Sequence, residues 1–527
     1  MLSREYGNLA GAGGVKDVAE QLSCSLAAWS GRKVSVALPL YGFMDAAALG
    51  FVPLADPQLE GTELLFDVEM NYAYEERRES VRVWYGKKEG VHIYLLDSQR
   101  FREKASVYTY TIGEELADPS KRQGEGHFDY FAMNLLHQKA ALQLMLLLDE
   151  KPDIIHCHDG HTAVLPAIIA ETPWLCSYFR HTGCIVTIHN AGAGYHQDVP
   201  DLPYGKAMTG LPWHAVMRCR LSGGSFDPLM AAGVYATVNT VSENYARELQ
   251  NSVEDEQTGW LGHHLLDMGT KLEGITNGVD PHAFSPRRGS EIGLAEAFDP
   301  LEDDTMAGKA ACKKRLLEQL SAVAPEDGVS QYGFLDGGEK VPLFTFIGRL
   351  SAQKGVDILR TAIVEMVASH EEFQMVILGS GPAYIERELI VLTDQAPGKI
   401  CFLSGYNPRL ANTIYSAGDF FVIPSRYEPC GLTDYIAQLF ANLPVVHHIG
   451  GLVKVIDGET GFAYQENSPG VLARTMERAM TAYADKALIR TMQKKAIETI
   501  EKKYTWKEVK KHYLELYKKA IIEQTAR

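Results

Sequence analysis

Short apolar runs alternate with stretches whose apolar residues recur at helical spacing, and the alternation continues along nearly the whole chain. The compact runs predict strands at residues 34–38, 91–96, 153–157, 185–188 and 235–241. Helical spacing predicts helices near 15–29, 128–148, 162–169 and 244–249. A second, cleaner series opens with a strand at 343–347. Strands at 374–378, 399–403, 420–423 and 444–447 then alternate with helices near 356–368, 383–392, 408–416 and 432–441. Parallel strands need a crossover that a helix supplies, so this order predicts α/β architecture with parallel sheets. Between the series, residues 281–340 are polar and rich in glycine, proline and acidic side chains, with one predicted helix at 306–320.

The expected fold is therefore two Rossmann-like, doubly wound domains, 1–275 and 276–527, facing a deep interdomain cleft. Such sheets bind ligands beyond the carboxyl ends of their strands. A glycine-rich turn, Gly11-Ala12-Gly13-Gly14, precedes the first helix, yet only Met1, Leu2 and Ser3 stand where a strand should lead into it. That first strand is usually central in such a sheet, so the chain is expected to begin late.

Length changes the picture little: 527 residues exceed one compact core and suit two domains. Charge excludes more. A net charge of −16 argues against a nucleic-acid partner, which needs a basic face, but leaves room for a small anion held by a local cluster. The lysines near the C-terminus (Lys502, Lys503, Lys507, Lys510, Lys511, Lys518, Lys519) read as a solvated helix face. The cysteines are scattered without a CxxC pair, which indicates neither a disulfide framework nor a zinc module. No signal peptide opens the chain, and the longest apolar run, 140–148, is too short to span a bilayer. The expectation is a cytoplasmic protein with no membrane partner.

Candidate chemistry sits where predicted strands give way to helices. Ser425-Arg426-Tyr427-Glu428-Pro429-Cys430-Gly431-Leu432-Thr433 places a carboxylate at a strand end and offers the next helix's unpaired N–H groups to an anion. Gly348-Arg349-Leu350-Ser351-Ala352-Gln353-Lys354-Gly355 sets a guanidinium fork and a point charge where a diphosphate could be clamped. In His156-Cys157-His158-Asp159-Gly160-His161 the histidine spacing allows a metal site, but hydroxyl contacts by Asp159 and His161 fit better, with His156 a satisfied core side chain. His189-Asn190 ends another strand and suits sugar hydroxyls or, equally, a structural turn.

Together these segments, with Asn277-Gly278-Val279-Asp280 and Gly450-Gly451-Leu452, resemble the bacterial glycogen synthases and plant starch synthases, which have the GT-B fold. The resemblance covers nearly the whole chain. It implies transfer of glucose from a nucleotide-sugar, ADP-glucose or UDP-glucose, to the non-reducing end of an α-1,4-glucan, with retention and without cofactor or obligatory metal. The first domain would take the acceptor and the second the donor, with the C-terminal helix crossing back to the first. Glu428 would be the essential carboxylate, with Asp159 and His189 also catalytic. Arg349 and Lys354 would hold the donor's phosphates, and Tyr406 would stack on its base. Cys430, Gly431, Leu432, Thr433, Asn277, Gly13 and Gly14 would complete the donor pocket, with His161 and Asn190 on the sugar or acceptor.

Three segments of the first domain depart from the family pattern. The family's Lys-x-Gly-Gly-Leu reads Gly11-Ala12-Gly13-Gly14-Val15, without the lysine. Lys16, inside the first predicted helix, is not expected to replace it. The family's His-Asp-Trp-His reads His158-Asp159-Gly160-His161, and the loop after Asn190 reads Ala191-Gly192-Ala193-Gly194-Tyr195. A related transferase with another donor or acceptor and a non-catalytic glycan-binding relative are the alternatives. A glucan phosphorylase lacks a convincing pyridoxal-phosphate lysine context here.

Overall fold

The computed structural model describes residues 1–526 other than 30, 222, 223, 324–327 and 370; residues 324–327 of the polar connector thus lie outside it. The chain divides into two compact units. One runs from Met1 to Gly278 and includes the chain from Trp506 onward; the other is Val279–Thr505.

In the first unit the strands are β1 (Ser35–Pro39), β2 (Val52–Pro53), β3 (Leu65–Glu69), β4 (Arg78–Lys88), β5 (Val91–Asp97), β6 (Ile154–His158), β7 (Gly183–Ile188), β8 (Thr237–Thr240) and β9 (Glu273–Gly274). Among the described residues they form a 5-stranded sheet, β1-β5-β4-β2 with β3 on β4, and a 4-stranded parallel sheet, β6-β7-β8-β9. Leu2 joins the two sheets, bridging in parallel to Ala37 of β1 and to Cys157 of β6. The chain therefore leaves Leu2 toward β1 on one side and returns in β6 on the other, which makes the turn after Leu2 the switch point of this unit. An apolar cavity of about 1020 Å³ lies at the opposite, amino ends of β1 and β6, lined by Met1, Val34, Tyr94, Ile154, Leu514 and Tyr517 among others.

The antiparallel strands β3 and β4 do not stand out in the sequence because one face is solvated; β4 buries only Val81 and Val83. Helix Tyr130–Leu147, by contrast, is apolar on nearly all sides and buries Phe131, Leu135, Leu142 and Leu144 in this unit's core. Helix Trp506–Ala526 packs on β7, with Tyr513 fully buried.

The second unit contains β10 (Val329–Gly333), β11 (Leu343–Ile347), β12 (Gln374–Gly379), β13 (Ile400–Gly405), β14 (Phe420–Ile423), β15 (Leu443–His447) and β16 (Phe462–Tyr464). Among the described residues they form a 7-stranded sheet, β10-β13-β12-β11-β14-β15-β16, parallel except for β10 at one edge. Alternate residues feed opposite faces: Phe344, Met375 and Phe402 join one core cluster, while Leu343, Val376 and Cys401 join another. Burial on both faces is why these strands read as continuous apolar runs. The order reverses at β11, so the switch point lies between the carboxyl ends of β11 and β14.

Candidate active site

Both charged motifs of the second unit lie at that switch point. The segment after β11 carries Arg349 and Lys354; the segment after β14 carries Glu428. Gly355 ends the first segment at φ +66° and caps helix Val356–Ala368. A Cβ there would stand 2.0 Å from the Pro424 carbonyl oxygen, so only glycine lets the two segments touch. Arg426 ties them further: its N–H donates to Gln353 O at 2.8 Å, and its guanidinium grips Asp357 at 2.8 and 2.6 Å.

Held this way, Lys354 Nζ donates to Glu428 Oε2 at 2.6 Å, and Ser425 Oγ donates to the same oxygen at 3.0 Å. Glu428 is buried, Lys354 half-buried and Arg349 exposed. Beneath the segment, Lys454 Nζ donates to the carbonyls of Cys430, Gly431 and Gly451 and pairs with Asp434 at 3.0 Å. Burial pushes Asp434 up to about 6 against the pull of Lys454. This scaffold fixes Gly431 at φ +76° as the cap of helix Leu432–Leu439, beside which Cys430 is buried and Thr433 half-buried. Tyr406 is 69% exposed at the end of β13, two strands away from the Lys354–Glu428 pair.

In the first unit, Asp159 follows β6 in left-handed backbone (φ +56°), a strained setting for a residue with a Cβ. Its Oδ1 accepts the backbone N–H groups of His189 (2.6 Å) and Asn190 (3.3 Å), which joins the ends of β6 and β7. Burial nevertheless raises its carboxyl to about 7. The Asn190 side chain closes a turn by accepting Gly192 N–H at 2.9 Å. His161 is buried, its ring tilted 30° against that of Tyr108 at 5.0 Å between centroids. His156 bonds Tyr517 through Nδ1 and Thr187 through Nε2, a satisfied core histidine. Burial pushes His156, His158 and His161 well below the usual imidazole value, and His189 down to about 3, so all four are neutral near pH 7. Among the described residues no group of three or more histidine, cysteine or acidic side chains is arranged to hold a metal ion. Asn277 is buried with Oδ1 unpartnered among the described residues.

The glycine-rich turn is partly filled from within the chain. The buried Glu5 carboxylate accepts N–H groups from Ala12 (2.7 Å) and Gly13 (2.9 Å), and Tyr108 OH donates to it at 2.6 Å. Gly14 caps helix Val15–Ala27. Neither Glu5 nor Lys454 is evident from sequence reasoning. Their signals are faint: a charged pair, Arg4-Glu5, just past Leu2, and a lysine two positions beyond Leu452.

Two of the three departures in this unit have a physical reason. A Cβ at position 160 would stand 2.4 Å from His196 O, so the loop after Asn190 occupies the space a larger residue at 160 would need. In this chain Gly160 and that loop are therefore fitted to each other. The stem of Lys16, on the first turn of helix Val15–Ala27, bends back over Gly11: a Cβ at 11 would meet Lys16 Cδ at 2.3 Å. Helical side chains slant toward the helix N-terminus, so a lysine early in the first helix reaches the preceding turn.

Two doubly wound units with charged segments at their switch points are the architecture of GT-B glycosyltransferases, and the chain is a glycosyltransferase. The starch synthase catalytic domain matches residues 1–268, and the glycosyl transferases group 1 domain matches residues 341–482. The glycogen synthase of Streptococcus pneumoniae is 30% identical over 96% of both chains, and that of Geotalea daltonii 29% identical over 99% of both. The catalytic domain of starch synthase IV from Arabidopsis thaliana, solved bound to ADP and acarbose, superposes with a TM-score of 0.78 at 27% identity, over 99% of this chain and 98% of that one. Sucrose-phosphate synthase from Thermosynechococcus elongatus shares the fold, with a TM-score of 0.55 at 16% identity over 99% and 98% of the two chains. This chain belongs to the glycogen and starch synthase family. No helix among the described residues is long and apolar enough to cross a membrane.

Proposed function

We propose that the protein transfers glucose from ADP-glucose to the non-reducing end of an α-1,4-glucan, with retention of anomeric configuration. The observation that carries this reading is the Lys354–Glu428 pair at the switch point between β11 and β14. A diphosphate leaving group gathers negative charge as the glycosidic bond breaks, and preorganised cations stabilise that charge most where water is sparse. Lys354 and Arg349 supply it, with N–H groups at the start of helix Leu432–Leu439 as further donors. Phosphate oxygens that draw Lys354 away leave the Glu428 carboxylate to bond sugar hydroxyls or steady the oxocarbenium-like sugar.

The second unit, Val279–Thr505, is on this reading the donor domain, and Tyr406, Cys430, Gly431 and Thr433 belong to its nucleotide and sugar contacts. The first unit takes the transferred glucose and the glucan through Asp159, His161, His189, Asn190 and Asn277. The ADP and acarbose held by the Arabidopsis enzyme support an adenine nucleotide and an oligosaccharide. Burying the reacting atoms away from water suppresses hydrolysis of the donor. The free cysteines fit the cytoplasm.

A donor panel tests the proposal: ADP-glucose should exceed UDP-glucose in transfer to glycogen, and glucose should be incorporated as the α-anomer. Transfer only from UDP-glucose would overturn the donor assignment. A second reading, a retaining transferase with another acceptor, draws on Gly11, Gly160 and the loop 191–195. Turnover on a small sugar with none on glycogen would establish it instead.

A further inference from the structure

The buried histidines of the first unit form a ladder whose proton positions follow from their partners. His156 stacks on His158 at 4.4 Å between ring centroids, and His158 on His189 at 5.2 Å. Thr187 Oγ1 donates to Asn239 Oδ1 at 2.7 Å, so the same oxygen accepts from His156 Nε2, also at 2.7 Å. His156 therefore carries its proton on Nε2, and its Nδ1 accepts from Tyr517 OH at 3.0 Å.

The next contact decides a functional property. His158 Nδ1 and His189 Nε2 are 2.9 Å apart, and one of the two must donate. Burial keeps both rings neutral, so each carries a single proton. His158 Nε2 is buried without a partner among the described residues. A proton there would leave an orphaned N–H donor in the core, whereas a bare nitrogen leaves only an under-used acceptor, which protein interiors tolerate better.

We propose that His158 is a positioning residue: its Nδ1–H donates to His189 Nε2, and this fixes His189 as the Nδ1–H tautomer. His189 then offers the substrate a hydrogen-bond donor and not an acceptor. Its Nδ1 has no partner among the described residues, and its backbone N–H is tied to Asp159 Oδ1 at 2.6 Å, so the ring is aimed from both sides. The group it meets is an oxygen with a free lone pair, a hydroxyl or ether oxygen of a sugar. That last identification rests on the glycosyl-transfer reading; the tautomer does not.

The test is the tautomer itself, read by long-range ¹H–¹⁵N correlation on the full chain labelled with ¹⁵N-histidine near pH 7.5. The expected result is a protonated Nδ1 and a bare Nε2 at His189. A proton on Nε2 of His189 in the unmodified protein overturns the proposal, whether or not any nucleotide-sugar is turned over. His158→Phe removes the donor and should move the His189 proton toward Nε2, with kcat/KM about five- to tenfold lower. His158→Asn keeps a donor near the Nδ1 position and should restore both the tautomer and most of kcat/KM relative to the Phe variant. A Phe variant unchanged in both readouts also overturns it. Absence of transfer from every donor, with the expected spectrum, would instead contradict the functional reading alone.

Discussion

Lys354 and Glu428 face each other across the β11–β14 switch point and share a hydrogen bond of 2.6 Å. They come from segments 74 positions apart, and each satisfies the other's charge. A cation that can exchange a carboxylate for a phosphate, and a carboxylate released by that exchange, are the two groups a glycosyl transfer with a diphosphate leaving group needs.

Glu428→Gln should therefore keep the fold, since the amide preserves shape and can still accept from Ser425. It should also keep nucleotide binding, because Lys354 loses a competitor for phosphate. Activity should fall about a hundredfold or more, a barrier increase of about 3 kcal/mol. Steady-state kinetics with calorimetric ADP binding checks this, and near-normal turnover would remove Glu428 from the mechanism.

Lys354→Ala should lower donor affinity and rate together, about ten- to a hundredfold in kcat/KM, because charge neutralisation acts on ground and transition states alike. Unchanged donor KM and kcat would contradict the clamp.

Gly11→Lys should shift selectivity among ADP-glucose, UDP-glucose and glucans of different length by about tenfold, the scale of one charge-assisted contact. The new side chain must displace the Lys16 stem, and because Lys16 Cβ would stand 2.9 Å from the added Cβ the start of the first helix must also give slightly, while the fold should survive. Identical selectivity in the two proteins would show that position 11 does not set the preference.

His137 gives a prediction about pH. Its Nε2 bonds Ala37 O at 3.0 Å, and burial lowers its imidazole to about 4. The unfolded chain takes up that proton near pH 6.5 and the folded chain does not, so stability present above pH 6.5 is lost as pH falls toward 4. By pH 5 the loss is about 2 kcal/mol. His137→Gln, which can still donate to Ala37, should gain about that much on the unmodified protein between pH 7.5 and pH 5 in denaturant titrations. A constant stability difference would contradict it.

Much of this was legible in the sequence, for identifiable reasons. The core strands of the second unit are buried on both faces, so β11 and β14 announce themselves as unbroken apolar runs, and the charged segments follow directly. β3 and β4 are half solvated and send no such signal. Glu5 is invisible for a different reason: nothing local indicates that its carboxylate folds onto the N–H groups of Ala12 and Gly13. That the Lys16 stem lies over Gly11 is not evident from counting positions, which ignores the backward slant of helical side chains. The link between Gly160 and the loop through His196 needs three dimensions, since it is a matter of 2.4 Å between segments far apart in the chain.

On the proposed mechanism Arg349, Lys354 and backbone N–H groups carry the charge neutralisation, so chelator should leave glucosyl transfer intact. Loss of activity with chelator, restored by one divalent ion, would reopen the histidine ladder as a metal site.

On the proposed function this chain elongates an α-1,4-glucan from ADP-glucose. The direct measurement is incorporation of labelled glucose from ADP-glucose into glycogen, followed by digestion with an exo-acting enzyme specific for α-1,4 links at non-reducing ends. ADP release should match the incorporated label, nearly all of it removed by the digestion. Folded protein that binds ADP yet transfers no label, or label that resists the digestion, would contradict it.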